Sequence, residues 1–389
     1  MLIAGEPSGD LLAAELVSAL REKSPGAKFF GAGGAKMSAA GVELAIDMTP
    51  HTVIGISDVL KNYFKFRHFF NQLLKLAIKR KPDAIIGVDY GGFNLRFGQA
   101  VKEYARYDSS DWNPKIIQFV SPQVWASRPG RADHLARDYD LLLSIFPFEK
   151  DWYARHAPKL RVEFVGHPVI GRYPGTNRSG DAQNKIGNRK SEIESQFDGL
   201  SAAPQILLLP GSRASELRMH LPVMLPALTL IRAKIPEAKA KTVLPDENLA
   251  RLAGSFGVET EIQIGNLPEA LARADVAIAS TGTVTMECAF FGVPTATLYK
   301  TSLFTYQIAK RIVTVESLTM PNLLAGRKIY PEYIQDAATP ENLAAATLDL
   351  LRDQYRRRDI KSQLEKIISS LGEPGASNRA AAAILSLFP

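Results

Sequence analysis

Gln205–Glu216 reads QILLLPGSRASE: an apolar run, a small-residue turn, then the opening of a helix. Val276–Pro294, VAIASTGTVTMECAFFGVP, repeats that form. A strand that passes through such a turn into a helix leaves backbone N–H groups aimed outward, with the helix dipole behind them. That arrangement suits a phosphate. One such turn is weak evidence, because ordinary strand-to-helix turns look alike. Two in one half of a chain point to a nucleoside diphosphate. In the first turn Gly211 permits close backbone approach, Ser212 offers a hydroxyl and an N–H, and Arg213 supplies a fork matched to phosphate oxygens. Glu216 reads as a first-turn carboxylate favoured by the dipole. In the second turn Thr281, Gly282 and Thr283 gather hydroxyls and N–H groups at the helix start. Glu287 follows Thr283 by one turn and shares its face, where a carboxylate can accept both ribose hydroxyls. The competing reading of Glu287 is a solvated helix residue.

Around these turns apolar runs alternate with helical patterns. Strands are expected at Leu2–Ala4, Ala84–Val88, Lys115–Val120, Leu141–Ile145 and Val162–Val165. A second series follows at Gln205–Leu209, Lys241–Leu244, Glu261–Ile264, Val276–Ala279 and Thr295–Tyr299. This rhythm predicts an α/β fold of two doubly wound parallel sheets. Residues 1–172 form the first expected domain and 205–345 the second. Residues 173–204, rich in Gly, Asn, Ser and Lys, read as a linker with a short helix near Lys190–Phe197. Residues 346–389 read as C-terminal helices. A cleft is expected where the carboxyl ends of both sheets face each other.

The chain has 389 residues, 46% hydrophobic and 22% charged, which is ample for two cores. Its net charge of +7 favours anionic partners. There is no zinc spacing, RNA-binding signature or basic tail, so nucleic acid is not an expected partner. The lone Cys288 excludes an internal disulfide and reads as buried core. No apolar stretch is long enough to span a bilayer, and no signal peptide opens the chain. Met1–Ala4 is so short a lead-in that the first strand reads as clipped, or the true start as upstream. The histidines share no spacing, so no metal site is expected.

In the first half, GVDYGGFN (Gly87–Asn94) ends an apolar strand, which puts Asp89 at the carboxyl edge of the sheet. There it is either a general base or a loop-bracing aspartate. GEPSGD (Gly5–Asp10) is a similar edge loop, in which Ser8 contacts a ligand or, with Asp10, caps the following helix. In SPQVWASRPGR (Ser121–Arg131), Trp125, Arg128 and Arg131 read either as contacts to an acyl or phosphate group or as a packed Trp with surface arginines.

Val59–Arg80, VLKNYFKFRHFFNQLLKLAIKR, has an unusually wide apolar arc. Val59, Tyr63, Phe66, Phe70, Leu73 and Ala77 form one face, flanked by Leu60, Phe64, Phe69, Leu76 and Ile78. The arc covers roughly 240°, against the ~100° that one core contact requires. Lys61, Lys65, His68, Lys75 and Lys79 fill the rest. The pattern fits a helix lying in a bilayer interface through Phe64, Phe66, Phe69, Phe70, Leu73 and Leu76. The alternative is a helix buried on two sides.

GEPSGD, GVDYGGFN, FVSPQVWA, FPFEK, FVGHP, LLLPGSRASE, STGTVTMEC, GVP and MPNLLAGR occur in an order and spacing that resembles the lipid-A-disaccharide synthase family, nearly from end to end. The resemblance implies an inverting, membrane-associated glycosyltransferase with two Rossmann-like domains facing a cleft (GT-B type). It implies UDP-2,3-diacylglucosamine as donor and 2,3-diacylglucosamine 1-phosphate as acceptor. The implied location is cytoplasmic, at the inner face of the inner membrane, with no cofactor and no obligatory metal. Carried over by motif, Asp89 is the catalytic base, Arg213 the diphosphate arginine, and Asn322 the ligand on the donor-site loop Met320–Arg327. The family's D-x-P-D-F-N is here D-Y-G-G-F-N, so a carboxylate expected at Gly92 is missing. Ser127 replaces a usual Trp. A homodimer is left open. The rivals are another UDP-sugar enzyme, such as a 2-epimerase or the undecaprenyl-linked glucosaminyltransferase, and a non-catalytic nucleotide-binding membrane adaptor.

Overall fold

The computed structural model describes residues 1–48, 56–108, 111–173 and 203–388, and side chains of the helix Ile56–Arg80 from residue 64 onward. The predicted helix near Lys190–Phe197 lies outside the described residues. The chain divides into two compact units. One comprises Met1–Gly171, Gln307–Thr314 and Leu371–Pro389, and the other Arg172–Tyr306 and Val315–Ser370.

The first unit is a parallel sheet of β1 (Leu2–Ala4), β2 (Phe30–Gly33), β3 (Glu43–Asp47), β4 (Ala84–Val88), β5 (Lys115–Phe119), β6 (Leu141–Ser144) and β7 (Val162–Phe164), in the order β3-β2-β1-β4-β5-β6-β7. The central runs LIA, AIIGV and KIIQF are almost wholly buried, as strands covered on both faces must be. β2 and β3 escape a reading by apolar runs. FGAG is half glycine, and ELAID alternates exposed with half-buried residues at the sheet edge.

The second unit has β8 (Gln205–Leu209), β9 (Lys239–Leu244), β10 (Glu261–Ile264), β11 (Val276–Ser280), β12 (Thr295–Tyr299) and β13 (Glu332–Ile334). Their order is β10-β9-β8-β11-β12-β13, with every pairing parallel. Both sheets therefore reverse direction beside their first strand, β1 or β8. At such a point the loops leaving two neighbouring strands turn to opposite faces and leave a crevice.

The tail does not stay together as one set of helices. Pro340–Arg352 packs on Ala214–Arg232 in the second unit, whereas Ala376–Leu385 packs on Pro7–Lys23 in the first. Arg379 Nε donates to the Val165 carbonyl at 2.8 Å, and the His167 N–H donates to the Leu371 carbonyl at 2.9 Å, which hold the return in place.

The wide apolar arc of Ile56–Arg80 resolves into two parts. Leu73 and Ala77 are fully buried in the first unit's core, with Phe66, Phe70 and Leu76 packed against it. The Phe70 ring meets Phe93 and Phe97 edge-on, both at 5.5 Å. Leu73 is thus a core residue rather than a membrane contact, and Phe66, Phe70 and Leu76 have most of their apolar surface committed inward. Phe64 is 80% exposed. Phe69 is half-buried, edge-on to Phe66 at 6.4 Å, with the Lys65 ammonium 5.8 Å above its ring. Among the described residues no helix is long and apolar enough to cross a membrane.

Candidate functional site

In the first unit the loops after β1 and β4 flank the reversal point. Ala4 pairs with Val88, so GEPSGD and Asp89 leave the sheet side by side. Asp89 and Tyr90 both adopt left-handed backbone, at φ 52° and 46°. Two consecutive non-glycine residues in that region are costly and persist only where neighbours impose them. The imposing groups are identifiable. Gln118 Nε2 donates to the Asp89 carbonyl at 2.8 Å and Asn94 Nδ2 donates to it at 2.9 Å. The Asp89 N–H donates to the Phe119 carbonyl at 2.8 Å. Gln118 Nε2 also reaches the carbonyl of Val120, a β-branched residue at φ 68°, at 3.2 Å. Gly87 makes room for both amides, since a Cβ there would lie 2.6 Å from Gln118 Oε1 and 2.9 Å from Asn94 Cβ. Among the described residues the buried oxygens Asn94 Oδ1 and Gln118 Oε1 have no hydrogen-bond partner. Strain of this kind clusters at sites shaped by function as well as by stability.

Asp89 itself is half-buried, and its Cβ lies 3.6 Å from the position a Cβ on Gly9 would take. Tyr90 lays its ring over Gly5. Burial, with Glu6 nearby, pushes its hydroxyl up to about 12. Ser8 lies half-buried in the first turn of Pro7–Lys23. Asp10 does not cap that helix. Its carboxylate accepts the N–H groups of Gly34, Lys36 and Met37 at 2.7, 2.9 and 3.1 Å, and so holds the start of Ala35–Ala39.

In the second unit both small-residue turns flank the reversal point, with Leu209 of β8 paired to Ala279 of β11. Gly211 is at φ 130°, and a Cβ there would strike Glu216 Oε2 at 2.2 Å. Glu216 folds back across the turn. Its carboxylate accepts the Ser212 N–H at 2.8 Å and the Arg213 guanidinium at 3.0 Å. The donors that sequence assigns to a phosphate are thus aimed at one point, and an internal anion occupies it. His220, fully buried, accepts the Lys300 N–H on Nε2 at 3.1 Å and donates from Nδ1 to the Pro210 carbonyl at 2.7 Å. Burial lowers its pKa, which keeps the ring neutral and able to play both parts. It ties the PGSR turn to the end of β12. Nothing in the histidine spacing signals this.

Across the crevice, Gly282 (φ 146°) and Thr283 are exposed and Thr281 is half-buried. Thr285 Oγ donates back to the Gly282 carbonyl at 2.7 Å and fixes the turn. Glu287 is half-buried. It accepts the Tyr173 hydroxyl at 3.1 Å, and burial raises its pKa against the pull of Arg172. Cys288 is core, its thiol pushed up to about 12 by burial.

One sequence assignment is corrected and a second is narrowed to its ring. Asn322, 1% exposed, has no atom to spare for a ligand. Its Nδ2 donates to the Tyr330 carbonyl and to Glu332 Oε1, both at 2.8 Å, while Oδ1 takes the Tyr330 N–H at 2.8 Å. It braces Met320–Ala325 from within. Trp125 donates its indole N–H to Glu149 at 3.0 Å and packs edge-on against Phe148 at 5.0 Å, so its one polar atom is committed. Arg128, by contrast, is exposed.

Glu149 is fully buried, and burial pushes its pKa from 4.5 up to about 7 despite hydrogen bonds from Trp125, Ser121 and the Phe146 N–H. The folded state therefore keeps a proton that the unfolded chain releases. Its contribution to stability is complete below pH 4.5 and is lost as pH rises to about 7. The loss is on the order of 3 kcal/mol. Glu149→Gln should flatten this part of the stability–pH curve. Denaturant melts at several pH values in that window test it, and an unchanged slope in the variant would assign the titration elsewhere.

A family model for lipid-A-disaccharide synthetase matches residues 1–387. The lipid-A-disaccharide synthase of Myxococcus xanthus is 34% identical, with 100% of this chain and 97% of that protein aligned. The synthase of Alkalilimnicola ehrlichii is 33% identical over 99% of this chain and 97% of its own length. Among solved structures, the glycotransferase of kitacinnamycin aligns at TM-score 0.57 and 18% identity, covering 100% of this chain and 98% of its own. A UDP-N-acetylglucosamine 2-epimerase aligns at TM-score 0.53 and 16% identity, covering 100% and 95%. At those identities the likeness is one of fold. With the family model matching almost the whole chain, the protein belongs to the lipid-A-disaccharide synthetase family.

Proposed function

We propose that the chain transfers 2,3-diacylglucosamine from its UDP derivative to the 6-hydroxyl of 2,3-diacylglucosamine 1-phosphate, giving the disaccharide 1-phosphate and UDP. The observation that carries this beyond family membership is the strained backbone at Asp89. Asp89 and Tyr90 hold two consecutive left-handed backbones at the reversal point of the sheet, which supports a functional use of that loop. In this reading the first unit takes the acceptor and Asp89 removes the proton of its 6-hydroxyl. The second unit takes the donor. Arg213, the Ser212 N–H and the Thr281–Thr283 turn stabilise the charge that grows on the departing UDP. Glu287 takes the ribose. Glu216 must give up the Ser212 and Arg213 donors when the diphosphate arrives.

Asp89→Asn should lower turnover by about 100-fold or more, the usual contribution of a general base, and leave UDP affinity intact. The assay uses the purified chain with both diacylated substrates, and it also separates transfer from epimerisation. Turnover within tenfold of the parent would remove Asp89 as base, and lost UDP binding would move it to the donor site.

Arg213→Ala should cost roughly 1.5–3 kcal/mol of UDP binding, as for a charge-assisted hydrogen bond, and spare uridine. Equal losses for UDP and uridine in calorimetry would contradict a diphosphate role.

The exposed end of Ile56–Arg80 supports peripheral attachment to the inner face of the inner membrane, with Phe64 and Phe69 entering the interface and Lys65, Lys75 and Lys79 meeting acidic headgroups. Replacing Phe64 and Phe69 by Ser should release the chain from acidic vesicles, and melting should shift little because Phe64 is outside the core. A large drop in Tm with unchanged flotation would assign both rings to packing.

A further inference from the structure

Between the helices Gly91–Tyr107 and Arg131–Asp138 lies a cavity of about 210 Å³, whose walls include Gly92, Arg96, Gln99, Arg131 and His134. It has room for several times the ~30 Å³ share of one water. We propose that this cavity is a phosphate-monoester subsite, with Arg96 and Arg131 as its ligands and Arg128 adding charge beside them. Resting on the function proposed above, the anion it takes is the 1-phosphate of the acceptor.

The argument is one of uncompensated charge. Among the described residues, the side chains of Arg96, Arg128, Arg131 and His134 make no hydrogen bond and no ion pair. The one acid on the cavity wall, Asp138, is buried and already taken by Arg137 at 2.8 and 2.9 Å, with Arg106 at 3.7 Å. The Tyr139 hydroxyl is likewise committed, to the Asn94 carbonyl at 2.7 Å. Burial and the nearby charges of Arg128 and Arg96 depress the Arg131 pKa, so the cluster repels itself as it stands. An oxyanion relieves that repulsion, and guanidinium forks match phosphate geometry. A Cβ on Gly92 would find no atom within 4 Å, so nothing fills the wall where the sequence motif leads one to expect a carboxylate. Gly92 follows Asp89 by three residues in the first turn of Gly91–Tyr107. A sugar with its 6-hydroxyl at Asp89 carries its 1-phosphate just across the ring oxygen from the carbon that bears that hydroxymethyl group, and this cavity adjoins the same loop through Gly92.

The test uses the full chain and five probes: glucosamine 1-phosphate, the diacylated acceptor with and without its phosphate, and vesicles with or without phosphatidic acid. Arg96→Gln/Arg131→Gln should weaken calorimetric binding of glucosamine 1-phosphate by about tenfold or more, as loss of charge-assisted bonds does. It should raise KM for the phosphorylated acceptor by a similar factor, leave KM for the UDP donor unchanged, and abolish the preference over the dephosphorylated acceptor. Arg128→Gln, which leaves both ligand arginines in place, should act in the same direction by a smaller factor. Glucosamine 1-phosphate that binds through these arginines to a chain without transferase activity would support the cavity while the proposed function fails. Loss of flotation on phosphatidic acid vesicles with acceptor KM unchanged would give the cavity to a lipid headgroup and overturn the acceptor assignment. Unchanged glucosamine 1-phosphate binding in both variants would overturn the site itself.

Discussion

One side-chain amide sets the geometry at the edge of the first sheet. Gln118 Nε2, in the middle of the buried run KIIQF, reaches two carbonyls at once, those of Asp89 and Val120. Asp89 follows the neighbouring strand β4 and Val120 follows Gln118's own strand β5, both in left-handed backbone. Without that donor the Val120 carbonyl would lose its partner in a strained loop, at a cost of roughly 1–3 kcal/mol, and the Asp89 carbonyl would rest on Asn94 alone. The aspartate that heads the candidate chemistry therefore depends on a polar residue inside a hydrophobic strand, and on Gly87, which leaves space for its amide.

That dependence explains what the sequence makes legible. The two small-residue turns are readable because strand, turn and helix leave different compositional marks. The parallel topology then brings them together at β8 and β11 without further information. Asp89 is readable as the first polar residue after an apolar strand. Gln118 carries a signal too: a lone amide in an otherwise apolar run needs a buried partner. The signal says nothing of which loops it joins, because that depends on how β4 and β5 lie side by side. His220 and Asn322 mark the limit. Each satisfies backbone groups outside its own turn, His220 at Pro210 and at the distant Lys300, Asn322 at Tyr330. A motif letter does not distinguish a residue that braces a loop from one that faces a ligand.

The helix Ile56–Arg80 shows the same ambiguity in apolar form. A helical wheel records which residues are apolar, not what covers them. Leu73 and Ala77 form the stripe that any amphipathic helix buries, and Phe66, Phe70 and Leu76 extend it against the aromatic group of Phe93 and Phe97. Among the described side chains of the arc, Phe64 is the one left largely outside the core. The width of an arc is thus an upper bound on the surface left for a membrane.

The two units treat anions in opposite ways. In the second, Glu216 closes the circuit of the PGSR turn, so that Ser212 and Arg213 never stand as an uncompensated positive site. A diphosphate bound there as proposed would have to displace a carboxylate, which would lower affinity but reject weakly charged ligands, because only a stronger anion recovers what is lost. In the first unit Arg96, Arg128 and Arg131 have no such internal stand-in, and their mutual repulsion is present before any ligand arrives. Such a cluster costs stability when empty and repays it on binding, so it favours any oxyanion that fits and discriminates by shape rather than by charge threshold. A self-quenched turn suits a ligand shared with many other proteins, such as a nucleoside diphosphate. An unquenched cluster suits a ligand already delivered to the surface by its lipid chains, for which capture matters more than rejection.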